Sequence, residues 1–357
     1  MTVLNASDAL INSTNESSSL PNGQSGPEID CILDLSKAEL PILLILCLVF
    51  NSFSIIILVK IRSDILGIDY LLVLTLAVND FVTMALFTVM WIGGWIRCKN
   101  IMDVHLCSFF GWLATTMVIW SAWVVIIMAG CRYLATVKPL YYRSSVTRGN
   151  VIIVLVFTLF FTLLQLMLPF TGLAAPYVFY DENRICAYNF SAGIAGFSHR
   201  IILGVLATEG LLATIVIMYF NISIIYVLRR VNVVRPEPAL ARPDMTSNNQ
   251  TKRTAFANVT KVVSAVYCIC YAPFLVRLLY DVIDNTPHQN DLRHSISMTL
   301  LFMSPLLNPM VYVACNRRYR EYIVQTCKNM CKCGNKNKGN ETTGNDASGY
   351  GTQTTRA

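Results

Sequence analysis

Residues 40–59 read LPILLILCLVFNSFSIIILV, an uncharged run bounded by Glu39 and Lys60. A helix rises about 1.5 Å per residue, so about 20 apolar residues match the hydrocarbon thickness of a bilayer. A buried core helix of a soluble protein could show one such block. It does not explain a series of them. Residues 151–170 form a second charge-free run, and further apolar blocks follow. The composition agrees: 54% of the 357 residues are hydrophobic and 14% are charged, whereas soluble domains carry roughly a quarter charged residues. The predicted spans are 40–60, 70–92, 104–132, 150–170, 200–228, 256–281 and 296–315. The third, fifth and sixth run past the hydrocarbon layer. The fold class is therefore an all-α membrane protein, a seven-helix bundle. No internal repeat is visible, which counts against a transporter built from duplicated halves.

Basic residues set the orientation. With the N-terminus outside, the inner segments hold Lys60, Arg62, Arg132, Lys138, Arg143 and Arg148. They also hold the basic residues between the fifth and sixth spans, and Arg317, Arg318 and Arg320. The outer segments hold fewer: Arg97, Lys99, Arg184, Arg200 and Arg293. The net charge of +7 is thus a topology signal and not a nucleic-acid surface. The expected organisation is an extracellular tail over 1–39, a transmembrane domain over 40–315, an interfacial helix over 316–327 and a disordered cytoplasmic tail over 328–357. The tail start, Asn316–Val324, interleaves basic with aromatic and aliphatic residues, which suits a short helix lying in the interface.

Residues 1–30 lack the basic start and apolar core of a signal peptide. They carry glycosylation sequons at Asn5, Asn12 and Asn15, and Asn189 stands in a fourth in the second outer loop. Cys107 opens the third span and Cys186 lies between the fourth and fifth. Both face the oxidising side, so a disulfide between them is expected. Cys31 and Cys98 could form a second bridge. Cys327, Cys331 and Cys333 lie among lysines just past the last span, a context for palmitoylation; their spacing is loose for zinc and no histidine follows.

Polar residues inside spans are costly and mark function by default. The second span contains Asn79-Asp80. The third ends Gly130-Cys131-Arg132-Tyr133, and Lys138-Pro139-Leu140-Tyr141-Tyr142 follows. The sixth contains Cys270-Tyr271-Ala272-Pro273, and the seventh ends Asn308-Pro309-Met310-Val311-Tyr312. This set, with Asn51 in the first span and Cys107 placed 25 residues before Arg132, resembles the rhodopsin-like G-protein-coupled receptors over about residues 40–325. The resemblance implies a plasma-membrane receptor for an extracellular ligand, coupled to a heterotrimeric G protein. It implies a receptor kinase and arrestin at the Ser/Thr-rich end, and no enzyme activity. It implies an allosteric sodium pocket of Asp80, Ser121, Ser304 and Asn308, with no other cofactor. It also implies that Arg132 meets the G protein once the sixth helix swings about Pro273, steadied by Tyr226 and Tyr312. Tyr271 stands where the family usually has tryptophan.

Several positions depart from the family. Cys131 replaces the acid that usually precedes the arginine, and Arg253 stands near where many members carry an acid. Both usual restraints on Arg132 are missing, so raised ligand-independent signalling is expected. The third span has no acid at Ala114, the position at which amine receptors carry an Asp, and Cys107–Gly130 contains none at all. A monoamine is therefore disfavoured. Ser304–Pro309, Pro273–Arg277 and Leu168–Leu173 are similar to prostanoid receptors, which suggests a lipid mediator. The arginine that holds the lipid carboxylate in those receptors is here Thr299, and Arg277 is a candidate substitute. Glu209 is a stray acid in the fifth span, which could face a ligand or make a structural hydrogen bond. A peptide or other small-molecule ligand stays open. A transporter is the rival of another class, but the buried charges are few and match receptor positions. No HExxH or Gly-x-Ser-x-Gly pattern favours an enzyme.

Overall fold

A computed structural model describes residues 39–61, 67–96, 104–180, 185–190, 196–234, 246–284, 292–315, 319–325 and 328. Its long helices are α1 (Glu39–Ile61), α2 (Ile68–Ile96), α3 (Val104–Val137), α5 (Arg148–Gln165), α6 (Phe197–Val234), α7 (Thr246–Asp284) and α8 (Leu292–Cys315). Each contains a stretch long and apolar enough to cross a membrane. Helix is the expected form, because backbone groups in lipid must be bonded within the segment. A short α4 (Pro139–Ser145) links α3 to α5. Pro139 starts it, where a missing N–H costs nothing. Residues 319–325 form α9, inside the interval expected for the interfacial helix. α3, α6 and α7 run to 34, 38 and 39 residues, so they overrun the hydrocarbon layer as expected.

Side chains sort in the reverse of a soluble protein. Large apolar residues such as Ile153, Phe157, Leu212 and Ile215 are exposed on the bundle's outer surface. Asn51, Asn79, Asp80, Thr116 and Ser121 are buried inside. Lipid tails solvate apolar residues as well as a core does, so the interior is free to hold the polar groups.

The helices are tied together where the sequence breaks a backbone bond. Pro309 has no N–H, so the Pro305 carbonyl one turn earlier loses its helical donor. Asn51 Nδ2 donates to that carbonyl at 3.0 Å and to the Cys47 carbonyl at 2.9 Å. One side chain thereby joins α1 to α8. Tyr319 of α9 donates to Ser54 Oγ at 2.8 Å, and Arg320 caps the final carbonyls of α8 at Val313 and Ala314.

After α5 the chain turns through Leu168–Thr171 to Gly172, whose φ of 78° is left-handed and suits a residue without Cβ. A two-stranded hairpin follows: β1 (Val178–Tyr180) pairs antiparallel with β2 (Ile185–Ala187), with Phe179 opposite Cys186. Cys186 is bonded to Cys107 of α3, as expected, with their Cα atoms 5.3 Å apart. Gly111, one turn further along α3, lets the hairpin settle on the helix: a Cβ there would stand 3.1 Å from Tyr177 and 3.3 Å from the Cys186 backbone. Burial pushes the Tyr177 and Tyr188 phenols up, so both stay neutral. The Tyr177 hydroxyl donates to the Leu166 carbonyl at 2.7 Å.

Candidate functional site

The hairpin roofs a cavity of about 560 Å³ between α3, α6, α7 and α8. Its α3 wall is Thr115, Val118, Ile119, Ala122, Trp123 and Ile126, spaced three and four apart as one helical face requires. Phe274, Leu275 and Leu278 of α7 and Met298, Leu301 and Phe302 of α8 complete the far side. Tyr271 and Tyr267 also line it, with rings stacked at 4.2 Å. The lining is almost wholly apolar, and Glu209 is its only acid or base among the described residues.

None of the three ligand positions drawn from the resemblance lines this cavity. Ala114 is fully buried, but in a neighbouring cluster with Cys107 and Phe87. Thr299 is exposed. Their successor and predecessor, Thr115 and Met298, do line it. Successive side chains on a helix point roughly 100° apart, so neighbours in sequence face different surroundings. Arg277 also stays out of the lining; its Nη2 lies 2.7 Å from Asp281 Oδ2 one turn on. Glu209, the stray acid of the fifth span, lines the cavity and also makes a side-chain hydrogen bond, with Gln165.

A polar cluster lies beneath. Asp80 is buried, and Asn308 Nδ2 donates to its Oδ2 at 2.7 Å. Asn79 donates to the Met117 carbonyl at 3.0 Å. A void of about 10 Å³ borders Asn79, Asp80, Thr83, Ser121 and Tyr271. That is room for one water or one small ion. Oxygens of a carboxylate, hydroxyls and an amide suit a hard cation. Of the four expected sodium-pocket residues, Asp80 and Ser121 border the void, and Asn308 reaches it only through its bond to Asp80. Ser304 is buried one turn before Asn308 but does not border the void.

Arg132 stands near the opposite end of α3, 8% exposed, and its Nη2 lies 2.7 Å from Asp69 Oδ2 at the start of α2. The expectation of an unrestrained arginine is thereby corrected. The acid missing from Cys131 is supplied from another helix, and the premise for raised ligand-independent signalling falls with it. The Arg253 side chain lies outside the described ones. Tyr312 is buried, 1% exposed, whereas Tyr226 is 65% exposed and faces away from the bundle. Tyr226 therefore does not steady Arg132 in this structure: the interior face of α6 is set by Ile217 and Ile224, and Tyr226 lies off it. Phe220 instead stacks on Tyr133, with ring centroids 5.0 Å apart. Pro273 lies inside α7 as expected.

Asn189 is 6% exposed, which argues against a glycan on the packed loop. Asn5, Asn12, Asn15, Cys31, Cys98, Cys327, Cys331 and Cys333 lie outside the described residues.

Among solved structures the chain is similar to squid rhodopsin, with a TM-score of 0.67 and 16% identity, over 88% of this chain and 93% of that one. At that identity the likeness shows the fold. No curated protein matches by sequence. The family described as "7 transmembrane receptor (rhodopsin family)" matches residues 50–312, most of the chain and all the motifs above. Its members are receptors, not enzymes. A polar core beneath a roofed cavity, an arginine at the far end of α3 and this family match lead to one statement: the chain belongs to the rhodopsin family of seven-transmembrane receptors.

Proposed function

We propose that this receptor sits in the plasma membrane with its N-terminus outside, binds a lipid mediator in the roofed cavity and activates a heterotrimeric G protein at the Arg132 end. The apolar lining of the cavity carries the ligand reading. Pockets of 300–1,000 Å³ with few polar groups are the usual size and character for a small ligand. The orientation rests on the excess of Lys and Arg in the segments assigned to the cytoplasm.

The route from ligand to G protein follows from the contacts. Tyr271 borders both the cavity and the void beside Asp80, so a ligand pressing on it disturbs both. Its hydroxyl donates to the Val118 carbonyl of α3 at 3.4 Å, a weak bond that breaks readily. Pro273, two residues on, lacks the donor that would stiffen α7 there, so the half of α7 that precedes it, on the Arg132 side, can swing. Arg132 must leave Asp69 to reach a partner in the space so opened. Asp80, Ser121 and Asn308 would hold a sodium ion in the resting arrangement.

A prostanoid-type mediator is the specific form that the sequence resemblance suggests. The apolar cavity supports a lipid. The pairing of Arg277 with Asp281 weighs against a carboxylate anchor, as does the place of Thr299. Nucleotide exchange on a panel of purified G proteins tests the proposal, with lipid mediators screened first and peptides second. Ligand-dependent exchange is expected from a lipid. Exchange driven only by peptides would overturn the ligand reading. Ligand-independent uptake into vesicles, without exchange, would overturn G-protein coupling.

A further inference from the structure

The cavity is not closed on every side. Val205, Leu212 and Val216 line it and are also 52%, 62% and 39% exposed, so it continues to the lipid-facing surface of α6. The bundle is loose there. Among the described residues α3 packs against both α5 and α6, while α5 and α6 make hardly any direct contact with each other. Two polar side chains bridge them: Glu209, which lines the cavity, and Gln165 behind it. Gln165, the last residue of α5, donates through Nε2 to Glu209 Oε2 at 2.8 Å. Its other amide atom, Oε1, is buried and has no hydrogen-bond partner.

A carboxyl group and an unsatisfied amide oxygen are both expensive at membrane depth. Neither explains the fold, because two apolar side chains would close the same gap at less cost. Both offer acceptors, and both become satisfied if a donor arrives. We propose that the ligand is an amphiphilic lipid with a hydrogen-bond-donating head, an ammonium or a hydroxyl, which enters from the bilayer between α5 and α6 and seats its head on Glu209 and Gln165. The apolar tail then lies along Val118, Ala122 and Phe274. A carboxylate head is disfavoured at this place, because it would meet another carboxyl group with no cation in the lining among the described residues. This inference rests on the receptor reading above and names the chemistry of its ligand.

The test uses three photoreactive probes with one common chain: a fatty amine, a fatty alcohol and a fatty acid. The full-length receptor is labelled in bilayers, and labelled peptides are identified by mass spectrometry. Labelling of α3 and α6 by the amine or the alcohol, but not by the acid, is expected. Labelling by one donor probe alone supports the proposal and names the head. The isosteric Glu209→Gln substitution should weaken the amine's labelling about ten-fold and spare the alcohol's, because a charge-assisted bond becomes a neutral one. Leu212→Trp, which leaves the acid in place and blocks the mouth, should lower labelling by both. Equal labelling by the fatty acid overturns the proposal, as does its loss only in Arg277→Ala. Absence of labelling by both donor probes overturns it too, as does labelling by the amine that is indifferent to Glu209→Gln. Labelling needs no G protein, so its failure is distinguishable from a failure of coupling.

Discussion

Asp69 and Arg132 illustrate how one residue's role depends on a neighbour far away in the chain. A guanidinium that is 8% exposed needs a counter-charge, and the ion pair at 2.7 Å supplies it from α2. Removing one partner of a buried pair leaves the other uncompensated and is far more costly than any gain from the pair itself. Here the uncompensated arginine would seek water or a G protein, so the loss should appear as activity. Asp69→Asn is expected to raise basal nucleotide exchange several-fold over the parent receptor at matched surface expression. Asp69→Glu should keep it low. Unchanged basal exchange in Asp69→Asn would show that the pair restrains nothing. A sequence reading could not find this pair, because it looked for the acid beside the arginine and at the foot of the sixth span. The signal was present in Asp69, the acid at the start of the second span.

At the scale of elements, the hairpin and α3 behave as one unit. The disulfide joins Cys107 to Cys186, and Gly111 allows the strand backbone to lie against the helix. Gly111→Val fills space already held by Tyr177 and the Cys186 backbone, and the backbone cannot yield as a flexible side chain can. Overpacking of this kind costs about 1–3 kcal/mol. The expected outcome is a lower melting temperature in detergent, with the disulfide still formed by non-reducing mass analysis. A melting temperature equal to that of the parent would mean that the hairpin moves freely on α3. The compartment marked both cysteines as able to form a disulfide, without excluding the other outer cysteines, Cys31 and Cys98, as partners. The hairpin was not legible, since Val178–Tyr180 and Ile185–Ala187 are too short for a strand pattern to rise above the loop around them.

At the scale of the whole molecule, a cavity, a polar cluster and an arginine are strung along α3. The void beside Asp80 lies between the other two, so an ion held there should favour one arrangement of the bundle over another. Anything bound only by the folded resting form stabilises it by RT ln(1 + [L]/Kd), about 1.4 kcal/mol at ten times Kd. Replacing choline chloride by sodium chloride should therefore raise the melting temperature of the receptor, and Asp80→Asn should abolish the difference. An equal response in both proteins would remove sodium from this site. The sequence by itself determined the seven spans, because hydrocarbon thickness demands a run of apolar residues and nothing subtler. It also determined that Asp80, Arg132, Pro273 and Asn308 matter, because polar or kinked positions in lipid stand out against that background. What faces what was decided only by the tertiary structure. Thr115 and not Ala114 meets the cavity, Glu209 finds Gln165, and Asp69 finds Arg132. Helix rotation and the partner across a helix pair depend on packing between segments far apart in the chain, and no periodicity within one segment encodes them. Residues 40–59 thus place a helix in the membrane, while the contact of Asn51 with the Pro305 carbonyl places that helix against α8.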